Sequence, residues 1–367
     1  MLYYHRLCLM IFALGLPFLC FGGGHADVNL EDDISDFVIE TEQIKIPGYP
    51  HAFNPSVLRW NGNLLMSFRV IPDPKNPYIS NIGIVLLDTG LNVISKPYIL
   101  DLLPAGADPS VPSRAEDARL VEVGGRIYMI YGDNRNAVIT KGGFRVYVTE
   151  LVLRDGQFLA KEIEVMTRFP QENPLVREKS WVPFDFQNEL LLAYSLSPHL
   201  IFRPLFNGGE CESFTRSESD TNTDWEWGIL RGGTPGVKID SQHYLAFFHS
   251  SEQMKSVHSE KAMPHYFIGA YTFSTEPPFT ITQMSIKPIV GKGFYSGKLY
   301  ERYWGSVRAV FPGGFIFDEN YIWVFYGRQD HEVCVIKLDK RGLLNSLLPV
   351  NNEERQSRPG SNETDNI

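Results

Sequence analysis

Short apolar runs rich in β-branched and aromatic side chains recur along the chain. Examples are Leu64-Leu65-Met66-Ser67-Phe68, Ile127-Tyr128-Met129-Ile130-Tyr131, Phe144-Arg145-Val146-Tyr147-Val148, Leu190-Leu191-Leu192-Ala193-Tyr194, Tyr244-Leu245-Ala246-Phe247-Phe248 and Ile322-Trp323-Val324-Phe325-Tyr326. Runs of this length and composition read as strands. Turn signals sit just before several of them: Trp60-Asn61-Gly62-Asn63, Val123-Gly124-Gly125, Gln187-Asn188-Glu189 and Asp318-Glu319-Asn320. Asn-Gly and similar pairs favour tight hairpins. No long stretch has a helical period, except a weak one over Val28 to Phe37. Strands spaced by about 8–12 residues, with almost no helix, predict an all-β sandwich, barrel or propeller.

A loose internal repeat separates these. Each unit opens on a short polar motif, then runs into an apolar strand, a turn and a strand ending in Tyr or Phe. The openings are Asn54-Pro55-Ser56, Glu116-Asp117-Ala118-Arg119, Glu178-Lys179-Ser180-Trp181, Gly232-Gly233-Thr234-Pro235 and Val307-Arg308-Ala309-Val310-Phe311, spaced by 62, 62, 54 and 75 residues. Each interval holds about four strands, the content of one propeller blade. Five openings predict a five-bladed β-propeller over residues 27–350, with a β-sandwich as the competing architecture. The alternating strand Phe37 to Ile46 is expected to pair with the last blade and close the ring.

The ends read differently. Arg6, the apolar run Leu7 to Phe21 and the small residues Gly24 and Ala26 match a secretory leader over residues 1–26. An uncleaved anchor is the alternative, although the run is shorter than a spanning helix needs. The expected location is secreted or periplasmic. Residues 351–367 are polar, lack an apolar face, and read as a disordered tail. Removal of the leader takes away one cation and no acid, so the formal charge of −9 becomes −10. An acidic chain argues against a nucleic-acid partner. Its 24 Phe, 17 Tyr and 6 Trp exclude disorder for the bulk. Cys211 and Cys334 would remain after leader removal, either paired or as two buried thiols. Two cysteines and no HExxH motif leave no metal site to propose.

Propeller geometry gives the openings a shared meaning. Innermost strands start at one face of the central channel, so their opening motifs converge there. They carry, in or beside them, Asn54, Asp117, Arg119, Lys179, Trp181, Arg231 and Arg308. One candidate acid among several cations implies an anionic ligand or a developing negative charge. Ion pairs around a wet channel would be the structural alternative. Glu178 is a second carboxylate at an opening; with Asp117 as acid and Glu178 as base it would suit an inverting hydrolase. His199, His243, His258 and His265 read as surface or structural residues. The polar stretch Asp220 to Asp224, with Trp225 and Trp227, reads as a loop that could roof the site.

Seven motifs in order add a resemblance: Asn54-Pro55, Arg114-Ala115-Glu116-Asp117-Ala118-Arg119, Glu178-Lys179-Ser180-Trp181-Val182-Pro183-Phe184, Gly232-Gly233-Thr234-Pro235, Phe247-Phe248-His249, Val310-Phe311-Pro312-Gly313-Gly314 and Tyr326-Gly327-Arg328-Gln329-Asp330. In this order, over roughly residues 50–345, the chain resembles the five-bladed mannoside phosphorylases of glycoside hydrolase family 130, whose relatives include β-1,2-mannosyltransferases and mannosidases. The resemblance implies an enzyme acting on β-mannosides with inversion, by phosphorolysis or by reverse transfer from a sugar 1-phosphate. An inverting hydrolase and a non-catalytic carbohydrate-binding propeller are the alternatives. It implies Asp117 as the general acid. It implies Arg69, Lys179 and His249 as phosphate ligands, and Asn54 and Asp330 as sugar ligands. Arg119 and Trp181 join them as candidate substrate contacts. No cofactor is expected beyond inorganic phosphate as co-substrate, and the expected partner is an oligosaccharide or glycan. Ala118 stands where the family motif has proline, and Ser250-Ser251 where glycine follows the histidine. Both departures bear on donor and acceptor choice.

Overall fold

The computed structural model describes residues 28–135, 144–169, 178–218, 225–301, 303 and 305–350. The expected leader, the expected tail and Asp220 to Asp224 lie outside the described residues. The described strands form five sheets arranged as a five-bladed β-propeller.

After β1 (Val38–Ile44), the chain lays down blade one as β2 (Phe53–Trp60), β3 (Asn63–Val70), β4 (Asn81–Leu87) and β5 (Tyr98–Ile99). Blade two is β6 (Glu116–Val123), β7 (Arg126–Asp133), β8 (Arg145–Arg154) and β9 (Gln157–Val165). Blade three is β10 (Val182–Phe186), β11 (Glu189–Leu196), β12 (His199–Pro204) and β13 (Cys211–Ser217). In blade four the inner strand is broken into β14 (Arg231–Gly232) and β15 (Val237–Lys238). A long hairpin, β16 (His243–Ser256) and β17 (Ser259–Ser274), follows, then β18 (Ile281–Met284). Blade five is β19 (Val310–Phe317), β20 (Tyr321–Arg328) and β21 (Glu332–Asp339). A short helix, α1 (Lys340–Ser346), leads to β22 (Leu348–Pro349), which adds to the edge of blade four beside β18.

Ring closure follows the expected route. β1 pairs antiparallel with β21, with Thr41 opposite Ile336, so the first strand completes the last blade. The hairpins turn where the sequence signals them. Asn61-Gly62, Gly124-Gly125, Asp155-Gly156 and Gln187-Asn188 each hold two successive positive φ angles, the conformation that matches the twist of a two-residue hairpin. Blades are covered on both faces, so their strands are continuous apolar runs rather than strict alternations. Leu64, Leu65, Met66 and Phe68 are all fully buried, and Ser67 with them.

One local expectation is corrected, and one pair of alternatives is decided. Residues Val28 to Phe37 form an isolated bridge and turns instead of a helix. The side chain of Asn29 takes the Glu31 amide at 3.2 Å, and such local acceptors compete with helix formation. The helix that does form, α1, is capped by Asp339, whose Oδ1 accepts the Gly342 amide at 2.6 Å. The two cysteines stay unpaired: Cys211 is buried in blade three and Cys334 in blade five. Burial pushes both thiols up to about 12. Among the described residues no helix is long and apolar enough to cross a membrane.

Candidate active site

The site forms where the inner strands begin. β2 and β6 carry the same device there. The β2–β3 ladder slips between Phe53 and Ser56, and the β6–β7 ladder slips between Glu116 and Arg119. Inside these bulges Asn54 has φ 45° and Asp117 has φ 56°. Asn and Asp tolerate this left-handed region better than other side chains, and a bulge re-aims the side chain it contains. The two are thereby brought face to face: Asn54 Nδ2 donates to Asp117 Oδ1 at 2.8 Å. Asn54 Oδ1 is buried with no donor among the described residues.

Cations surround this carboxylate. Arg69, from β3, lies 3.5 Å from Asp117 Oδ1 and 3.0 Å from Glu116 Oε2. Its guanidinium also rests over the Phe53 ring at 5.1 Å. Lys179 Nζ lies 3.3 Å from Glu116 Oε1. Glu116 therefore clamps two cations beside Asp117. Burial favours the neutral form of Asp117, but Arg69, Lys179, Arg119 and the Asn54 hydrogen bond outweigh it and hold the carboxyl below its usual range. Burial opposes the charge on Arg69; Glu116, Asp117 and Asp330 more than restore it, and its pKa is raised. Asp330 follows β20 at φ 53°, and its charge reaches Arg69 and Tyr266.

His249, on β16, sits opposite Arg231 in the β14–β16 ladder. It packs against Phe311 at 4.6 Å and stacks on Tyr266 at 6.1 Å. Burial first, then Arg119 and Lys179, push it down to about 3, so the ring is neutral near pH 7. Its Nδ1 is buried and unbonded among the described residues.

Arg119 and Trp181 turn elsewhere. Arg119 Nε donates to the Gly233 carbonyl, Nη2 to Gly232 O at 3.2 Å and Nη1 to Asp117 O at 2.7 Å. Its role in the described geometry is to tie the acid's backbone to blade four, while its charge still reaches Asp117. Burial lowers it to about 10, which leaves it charged at neutral pH. Trp181 is 1% exposed and packed edge-on against Phe169 at 5.1 Å and Tyr194 at 5.4 Å, inside the blade-three core. It presents no face to the channel. Glu178 is equally buried, with the Tyr194 hydroxyl 3.5 Å from its Oε1. Arg308 donates to the carbonyls of Ser296, Gly297 and His258. Trp225 and Trp227 fold inward against Phe248 and Phe267.

The structure thus gathers Asn54, Arg69, Asp117, Lys179, His249 and Asp330 around one mouth. It adds Glu116 and Tyr266, which sequence reasoning had not assigned. Glu116 carried a usable signal, an acid beside Asp117 at the head of an apolar strand, since a buried carboxylate requires cationic partners. Tyr266 carried none, because its place depends on the β16–β17 register, which sets Tyr266 against Ser251. A separate cavity of about 630 Å³ opens at the other mouth, lined by the far ends of the inner strands, among them Arg59, Glu122, Asp185 and Lys238. No comparable cluster of buried charges gathers there among the described residues.

Comparison with known proteins agrees with the five-bladed fold. The sequence model of glycoside hydrolase family 130, described as beta-1,4-mannooligosaccharide phosphorylase, matches residues 32–348. The chain belongs to that family of carbohydrate-active enzymes. The fold is similar to that of a beta-1,2-mannobiose phosphorylase from Listeria innocua, at 16% identity and TM-score 0.54 over 86% of this chain and 95% of that one. It is also similar to a GDP-Man-dependent mannosyltransferase from Leishmania mexicana, at 11% identity and TM-score 0.56 over 83% and 91%. A mannose phosphorylase from the same organism, solved with a phosphate ion, aligns at 13% identity and TM-score 0.52 over 88% and 94%. No curated protein sequence matches.

Proposed function

We propose that this chain is an inverting phosphorylase of β-mannosides, able to run in reverse from a sugar 1-phosphate. The observation that carries the reading is the state of the two adjacent carboxylates. Glu116 is held by Arg69 and Lys179, which makes it a poor base for water. Asp117, beside Arg69, Lys179 and Arg119, is left as the acid. A hydrolase of the inverting type needs a second carboxylate free to activate water. Phosphate brings its own nucleophilic oxygen and needs positive charge to hold it.

In this mechanism a phosphate oxygen attacks the anomeric carbon and the C1–O bond to the leaving sugar breaks. Asp117 sends its proton towards that leaving oxygen, and the configuration inverts. Asp117 is ionised in the free site at neutral pH, since its pKa is lowered. An incoming phosphate anion offsets the surrounding cations and raises the carboxyl, so binding itself recruits the proton. Asn54 and Asp330 bind sugar hydroxyls, and the neutral His249 offers a ring nitrogen to the phosphate. The phosphorylases among the similar structures support this reading.

The leader-like residues 1–26 favour a second reading. An exported enzyme would release sugar phosphate outside the cell, which suits hydrolysis or transfer onto an envelope glycan better. One assay separates them. Purified protein is incubated with manno-oligosaccharides with and without phosphate. Sugar 1-phosphate formed only with phosphate is the expected result. Free mannose in both tubes would establish hydrolysis instead. No product in either tube, and none from mannose 1-phosphate plus acceptor, would leave a binding propeller.

A further inference from the structure

The cations at the inner-strand openings differ in what they hold. Arg69 is bound to Glu116 and Asp117. Arg119 and Arg308 are spent on backbone carbonyls. Lys179 is paired with Glu116. Arg231 is exposed and has neither an ion pair nor a hydrogen bond to its side chain among the described residues. Its backbone stands directly across the ladder from His249, whose Nδ1 is buried and unbonded. The charge of Arg231, together with those of Asp117 and Lys179, is felt at both His249 and Tyr266.

We propose that Arg231, rather than Arg69, is the guanidinium that engages the incoming phosphate. This rests on the phosphorolytic reading above. A guanidinium with all its donors unspent can take two phosphate oxygens at once. Arg69 cannot do so without abandoning Glu116 and Asp117, which would leave two buried carboxylates less well compensated. Lys179 supplies a second charge on the same side, and His249 a neutral contact. The phosphate then enters from solvent along Arg231, while Arg69 stays with the acid and sets its proton affinity.

The test is titration of inorganic phosphate into the wild-type protein, R231A and R231K at constant ionic strength, followed by phosphorolysis kinetics. R231A is expected to weaken phosphate binding at least about tenfold, the scale of a lost charge-assisted contact. The KM for phosphate should rise with it while the KM for the glycan holds, and sugar 1-phosphate should form correspondingly more slowly at fixed phosphate. R231K should recover part of the loss. Thermal denaturation should be unchanged, because the side chain holds no partner among the described residues. Phosphate binding by R231A equal to wild type would overturn this inference and leave the phosphorolytic reading standing. Absence of phosphate binding by the wild-type protein would overturn both.

Discussion

Asp117 sits in a pocket that discourages its own protonation, and the role proposed for it turns on that paradox at the scale of single residues. Asp117→Asn is expected to lower activity by about 10²–10⁴-fold, the usual worth of a positioned acid, with far-UV circular dichroism unchanged. Phosphate binding should be accompanied by net proton uptake near neutral pH, read from calorimetry in buffers of different ionisation enthalpy. Heat independent of the buffer would contradict the recruitment of a proton by Asp117. Glu116→Gln removes a negative neighbour and frees Arg69 and Lys179, so Asp117 should ionise still more readily. The alkaline limb of the kcat profile should move to lower pH; an unmoved limb would mean that Glu116 does not tune the acid. Asp117 was legible in the sequence because an Asp beside cations at a strand opening is chemically conspicuous. Trp181 was misleading for the complementary reason. It sits in the same motif as Lys179, but both precede β10, and Ser180 between them holds φ 66°, so the chain turns there and Trp181 enters the core instead of the channel.

At the scale of elements, the bulges at the heads of β2 and β6 depend on their neighbours leaving space. Gly327 on β20 is such a neighbour: a Cβ there would stand 1.9 Å from Asn54 Oδ1 and 2.6 Å from its backbone nitrogen. Gly327→Ala should cost about 1–3 kcal/mol by overpacking, measured by denaturant unfolding. It should also reduce kcat/KM, because Asn54 and its bond to Asp117 must shift. Stability with activity intact would show that the Asn54 bulge is dispensable. His199, at the start of β12, gives the elements a pH response. Burial pushes it from 6.5 down to about 4, against the bond from Nδ1 to Phe279 O at 2.7 Å. Between those two values the unfolded chain binds the proton and the folded chain does not, so stability falls as pH drops through the window, by about 1.4 kcal/mol per pH unit for this group. His199→Gln should flatten part of that slope in thermal melts between pH 6.5 and 4. Hairpin positions were readable because Asn-Gly and Gly-Gly pairs encode their own turn. The broken inner strand of blade four has its own local mark, Pro235-Gly236, since proline donates no ladder hydrogen bond; what the sequence did not reveal is the close packing beside it, where a Cβ on Gly236 would meet the Phe273 ring at 2.8 Å.

At the scale of the whole molecule, stability is circular. The strand that completes blade five comes from the other end of the described chain. A chain beginning at Lys45 would lack β1 and leave β21 as an open edge. Its melting temperature should fall by several degrees and its tendency to aggregate should rise, as read by calorimetry and light scattering; an unchanged melt would assign closure to the other blade contacts. The ring was anticipated from the spacing of five openings and the alternating strand Phe37 to Ile46. The uneven last interval of 75 residues holds both the long β16–β17 hairpin and the extended connection from β18 to β19, neither of which the repeat of openings could show. Such a hairpin raises His249 and Tyr266 on one side of the mouth.

Arg119 reaches from blade two to the Gly232 and Gly233 carbonyls of blade four, past the intervening blade three. Its guanidinium is a crossbar over the ring. A polymer therefore cannot thread from one mouth to the other, and a sugar that meets Asp117 must back out the way it came. On the function proposed above, substrate and product would share that one entrance.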